Sequence, residues 1–136
     1  MELWEVDRMY CFSSLVEFAM LRETIKAELV RICGKDALGV FIALNESVNN
    51  AILHGNKEDL RKKVYLMMEE LPHEIRMIIR DEGQGFVNRG ISSTADPFDE
   101  HGRGFQLIQS YVDSYELNGL GNEITLIKKI NVASLQ

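Results

Sequence analysis

Three short segments carry the side chains that could do chemistry, and they come in a fixed order. Glu46-Ser-Val-Asn-Asn50 lies inside a helical pattern, Asp81-Glu-Gly-Gln-Gly85 ends a strand pattern, and Gly102-Arg-Gly104 opens another helix. Glu46 and Asn50 stand four residues apart, so a helix stacks them on one side. The carboxylate there could accept a proton from an attacking hydroxyl or water, and the amide is an oxygen ligand that suits Mg²⁺. Asp81 could accept a hydrogen bond from an exocyclic amine, while Gly83 and Gly85 allow backbone to come close to a ring. Amides of a glycine turn at a helix start favour phosphate oxygens. Taken together the segments describe an ATP site, one that lacks the G-x-x-x-x-G-K-[ST] of a P-loop. Each segment also has a plain reading: a solvated helix face, a tight turn, a helix start.

The elements that must position these residues follow from periodicity. Residues 12–33 have apolar positions at helical spacing, with Ser13 or Ser14 as cap, and Gly34 ends that helix. A second helix restarts at Asp36 and runs to about His54, where Gly55 supplies a stop. In it Phe41, Leu44, Val48 and Ile52 form one apolar stripe, with Glu46 and Asn50 opposite. Lys63–Glu70 and Glu74–Asp81 read as strands around Leu71-Pro72-His73, with Ile75, Met77 and Ile79 alternating. Residues 86–101 have no period and read as a loop, long enough to expect a function for it. Residues 103–115 return to a helix. Ser114–Leu117 and Glu123–Ile130 make a second hairpin, and residues 2–10 a further strand. The fold class implied is α+β: a two-layer sandwich, one mostly antiparallel sheet with helices on one face.

At 136 residues the chain is expected to form a single domain over 1–136. Its net charge of −6 argues against general binding of nucleic acid or anionic membrane. No apolar run reaches the length of a membrane span, and no signal peptide is evident, so a cytoplasmic location is expected. Cys11 and Cys33 are expected to be buried, reduced thiols.

The ordered set Glu-x-x-x-Asn, Asp-x-Gly-x-Gly and Gly-x-Gly before a helix resembles the Bergerat, or GHKL, ATPase superfamily. Within it the chain is most similar to the small anti-sigma factor serine/threonine kinases of bacteria. The stretches Asn45–Gly55, Arg80–Phe86, Gly102–Asp113 and Gly121–Lys129 carry the likeness. It implies Glu46 as general base, Asn50 as Mg²⁺ ligand, and Asp81 as reader of adenine beside Gly83 and Gly85. It implies Gly102, Gly104 and the Phe105 amide along the phosphates, and Thr125 supporting the adenine pocket, with Asn122 where a Thr is common. His54 and Arg103 are possible phosphate or lid contacts, and 87–101 would be the ATP lid. The cofactors implied are ATP and Mg²⁺. The partners implied are an anti-anti-sigma protein of STAS type, phosphorylated on serine or threonine, a sigma factor held sequestered, and a second copy of the chain. The alternative is a non-catalytic nucleotide-binding interaction module.

Overall fold

The computed structural model describes residues 7–84 and 102–130. Strand β1 (Asp7–Phe12) leads into helix α1 (Leu15–Cys33), a 3-10 turn at Gly34–Asp36, and helix α2 (Ala37–Asn50). A π-helical turn, Ala51–Gly55, continues α2. Strands β2 (Val64–Glu70) and β3 (Glu74–Arg80), helix α3 (Gly102–Tyr111), and strands β4 (Ser114–Leu117) and β5 (Glu123–Lys129) follow. The five strands form one sheet in the order β1-β2-β3-β5-β4, and every neighbouring pair is antiparallel. The α+β class and the two-layer arrangement read from the sequence are thus present. None of the helices among the described residues is long and apolar enough to cross a membrane.

Local chemistry explains the boundaries. The helix expected from residue 12 begins at Leu15, because Ser14 caps it and Phe12 belongs to β1. The Glu17 amide donates to Ser14 Oγ at 3.1 Å, and Glu17 Oε1 accepts from the Ser13 amide at 2.5 Å. The first satisfies one of the amides that a helix start leaves without partners, and the second ties down the residue before the cap. Gly34 closes α1 at φ 60°, a backbone state that glycine adopts without Cβ strain. The strand expected at 2–10 lies at Asp7–Phe12, and α3 ends at Tyr111 rather than at 115.

Alternation along each strand assigns the two faces of the sheet. Val64, Leu66 and Met68 of β2, Ile75, Met77 and Ile79 of β3, and Ile124 and Leu126 of β5 are buried on the helix side. Phe12, Phe18, Leu29, Val40, Leu44 and Ile108 complete the core from the other elements, with the Phe12 and Phe18 rings 5.1 Å apart. The Phe41, Leu44, Val48 and Ile52 stripe of α2 is buried as its spacing predicts. Burial also pushes the Cys33 thiol up to about 11. The expectation for Cys11 is corrected: it is exposed, because the alternation of β1 turns it outward while Phe12 turns in.

An ionic fork ties the helical layer to the sheet. Arg31 at the end of α1 donates to both oxygens of Glu70 on β2, at 2.8 and 3.3 Å, and to Glu28 at 2.9 Å. Arg8 of β1 reaches the same Glu28 at 3.3 Å. The Arg31 guanidinium holds the Glu70 carboxyl below the usual carboxylate range. A carboxyl depressed in the folded state contributes stability above its unfolded value, near ~4.3, and loses it as pH falls through the folded value. Because the pair is largely solvent-accessible, Arg31→Ala should cost about 1 kcal/mol at neutral pH. Chemical denaturation of both proteins should show that difference shrinking as the pH is lowered through the acid range.

Candidate functional site

The three segments converge at one end of the sandwich, where β3 ends and β5 begins beneath α2 and α3. Asp81 is the next inward position after Ile75, Met77 and Ile79, so the alternation that builds the core delivers a carboxylate to its edge. It is 7% exposed. Beside it opens a cleft with about 430 Å³ of empty space, counting the solvent at its mouth. Asn50, His54 and Asp81 line it together with Ile79, Phe105, Leu117, Asn122 and Ile124. Apolar walls with a few converging polar groups suit a flat heteroaromatic ring.

Two close backbone approaches shape this end. A Cβ on Gly55 would collide with the Asp81 carboxylate, and a Cβ on Gly83 would collide with the Gly55 carbonyl oxygen. Neither glycine has a positive φ. Gly55 is therefore less a helix stop than a seat for Asp81, and Gly83 packs against the protein's own backbone. The Gly83 amide also donates to Asp81 Oδ1 at 2.7 Å. The π turn at Ala51–Gly55 places Gly55 there; such insertions in α-helices recur at functional sites.

Glu46 sits at the junction of α2 with the first turn of α3. A Cβ on Gly104 would come within 2.5 Å of Glu46 Oε2, so glycine lets the two helices close on this carboxylate. The side of α2 bearing Glu46 and Asn50, which a solvated reading would leave in water, is thus covered in part by α3. Ser47 between them is buried and donates to the Ala43 carbonyl at 3.0 Å. Phe105 contributes its ring, buried in the cleft wall and 5.6 Å from the Tyr115 ring. Gly102 and Arg103 open α3. Gly85, His101 and the lid 87–101 lie outside the described residues.

Among the described residues, Thr125 is a proposed site residue that the sheet turns away. It pairs with Ile78 on one side and Glu116 on the other, both on the sheet's open face, and the buried inward neighbours are Ile124 and Leu126. Ile124 lines the cleft in its place. The expectation of a hydroxyl in the pocket was off by one position along the strand, and one position reverses the face.

Asn56 and Asn118 gave no comparable signal in the sequence, and Asn122 gave one only as a departure from a common Thr. Asn56, 2% exposed, donates to the Lys63 carbonyl at 3.0 Å and accepts from the Glu82 amide at 2.8 Å. Asn118 and Asn122 bond to each other at 2.7 Å in the β4–β5 turn, and Asn122 Nδ2 donates to the Asp81 carbonyl at 3.3 Å. Their partners lie up to 41 residues away, beyond any local pattern.

Comparison with known proteins agrees with this geometry. The model of the histidine kinase-like ATPase domain family matches residues 14–128. The anti-sigma F factor of Bacillus subtilis (strain 168) is 29% identical over 96 residues, 65% of this chain and 66% of that protein. The anti-sigma F factor of Clostridium perfringens (strain SM101 / Type A) is 32% identical over 97 residues, 65% of this chain and 69% of the relative. That of Oceanobacillus iheyensis is 32% identical over 81 residues and 54% of either chain. The chain spans just under two thirds of the length of the Bacillus subtilis relative. With a sheet, a cleft and a family match that runs through all the elements from α1 to β5, the chain belongs to the histidine kinase-like ATPase domain family, in the group that holds the anti-sigma F factors.

Proposed function

We propose that the chain binds ATP in this cleft and transfers its terminal phosphoryl group to a serine or threonine of a STAS-type anti-anti-sigma protein. The observation that carries the reading is that Asp81 and Asn50 line one cleft, while Glu46 stands one helical turn from Asn50 against the start of α3. In this reading the Asp81 carboxylate accepts from the adenine amine, between the apolar walls of Ile79, Phe105 and Ile124. An acceptor there disfavours guanine, whose carbonyl would face it with no proton to share. Phosphates extend toward the start of α3, which carries Gly102 and Gly104 and where the helix dipole favours negative charge.

A magnesium ion fits the donor set. Among the described residues no cluster of three His, Cys, Asp or Glu could hold a metal ion by itself. Mg²⁺ asks for less, since it commonly takes one or two protein oxygens and completes its octahedron with phosphate and water. The Asn50 amide oxygen on the cleft wall would be that ligand. When bound, the ion supplies charge neutralisation along the phosphates. Glu46 accepts the proton from the attacking hydroxyl as its oxygen bonds to the γ-phosphorus and the bond to the β–γ bridging oxygen breaks. The products are ADP and a phosphoprotein. His54, on the same wall, and Arg103, in the first turn of α3, are proposed for secondary contacts with phosphate or lid.

The name of the relatives, anti-sigma F factor, supports a sigma factor as the second partner, held sequestered in the cytoplasm. The sheet's open face supports self-association. Met9, 60% exposed, stands in register with Met67, and Met67 with Ile78, giving an apolar row across three strands. A second copy covering that face would bury it.

Two outcomes test these proposals. Glu46→Gln should retain nucleotide binding and lose at least a hundredfold in phosphate transfer to a cognate STAS-type partner, read by radiolabel incorporation, since general-base catalysis contributes on the order of 10²–10⁴. Undiminished transfer would assign the base elsewhere, and no transfer by the wild type would favour a sequestering module without catalysis. Sedimentation at micromolar concentration should give about twice the 15.5 kDa chain mass, moving toward monomer in Met67→Lys. A wild-type monomer at all concentrations would end the dimer proposal.

A further inference from the structure

The regular β3–β5 ladder stops at the Arg80–Glu123 pair, yet Asp81 keeps its inward direction one residue further on. In a hydrogen-bonded antiparallel pair, opposite residues exchange two bonds, each amide donating to the other carbonyl. Asp81 and Asn122 make the first, from the Asp81 amide to the Asn122 carbonyl at 2.9 Å. The amide that would return the second is engaged elsewhere. Asn122 N–H donates to Asn118 Oδ1 at 3.0 Å, and that oxygen also accepts from the Gly121 and Glu123 amides at 2.7 and 3.2 Å. The Asn122 side chain fills the gap: its Nδ2 donates to the Asp81 carbonyl at 3.3 Å, while its Oδ1 accepts from Asn118 Nδ2 at 2.7 Å.

We infer that Asn122 is a positioning residue for base recognition, its side-chain amide extending the ladder by one residue so that Asp81 presents its carboxylate to the cleft. The inference rests on the reading of this cleft as the adenine site. Asn122 is suited to the task, being 8% exposed and part of the cleft wall. On the far side of Asp81 the chain is already fixed, by the Gly83 amide on Oδ1 and by Asn56 on the Glu82 amide. Without the Asn122 amide, the Asp81 carbonyl loses its side-chain donor, and the Asp81–Glu82 peptide is held only through its N–H, by Asn56. The carboxylate would then swing relative to a bound base, and discrimination among bases would suffer before affinity for phosphate does. The Asn118 acceptor matters because it diverts the Asn122 backbone amide and thereby makes the side chain necessary.

The test is calorimetric titration of wild type and Asn122→Ala with ATP and with GTP, alongside circular dichroism to confirm the fold. Wild type should prefer ATP, and Asn122→Ala should reduce the ATP-to-GTP affinity ratio at least fivefold. A purely structural role would lower the melting temperature and leave that ratio unmoved. If the alanine variant does not fold, Asn122→Ser, which keeps a donor on a shorter stem, should give a smaller loss of the ratio. A folded variant that discriminates as well as wild type overturns the role of Asn122 alone. A wild type that binds both nucleotides equally, or neither, overturns the adenine reading and this inference with it.

Discussion

The site depends on one buried carboxylate being held at the end of an otherwise apolar row. Ile75, Met77 and Ile79 fill the core, and the next inward residue is Asp81. A buried carboxylate is costly unless hydrogen bonds compensate it, and the neighbouring structure is arranged to provide them. Gly83 folds back so that its amide reaches Oδ1. Gly55 has no side chain because the carboxylate occupies the space a Cβ would need, and Gly83 has none because the Gly55 carbonyl does. The π turn after α2 and the asparagine-built β4–β5 turn bring those partners to it from opposite sides.

A second constraint acts at the junction of α2 and α3. Glu46 lies where the first turn of α3 closes on α2, and only a glycine at 104 leaves room for it. The same closeness places a carboxylate beside the N-terminal turn of α3, the part of the fold best suited to phosphate. In the proposed reaction this is the useful arrangement, with proton acceptor and phosphate-binding amides side by side. The apolar stripe of α2 holds that helix rigidly against the sheet, so the position of Glu46 is set by the core and not by the loops.

Much of this was legible in the sequence because it rests on short periods. The four-residue spacing of Glu46 and Asn50, the alternation ending in Asp81, and the two glycines before an apolar helix are local patterns, and the elements follow them. What failed has equally physical reasons. Thr125 was placed in the pocket, but a strand's face reverses with each residue, and the register with Ile78 puts Ile124 inward instead. Phe12 satisfied helical spacing and strand alternation alike, and the Ser14 cap decided between them. Gly55 reads as a helix stop and Gly83 as a turn residue or a close approach to a ring, whereas in the fold both make room for contact with residues distant in sequence. Asn56, Asn118 and Asn122 act through bonds to backbone that only the folded chain brings near.

The central claim, that an inward Asp81 reads adenine, is tested most directly by titrating wild type and Asp81→Asn with ADP. The substitution keeps the size of the side chain and replaces an acceptor with a group that can present a donor to the amine. The account predicts at least a tenfold loss of affinity in a variant that remains folded. Equal affinity in the two proteins would contradict it.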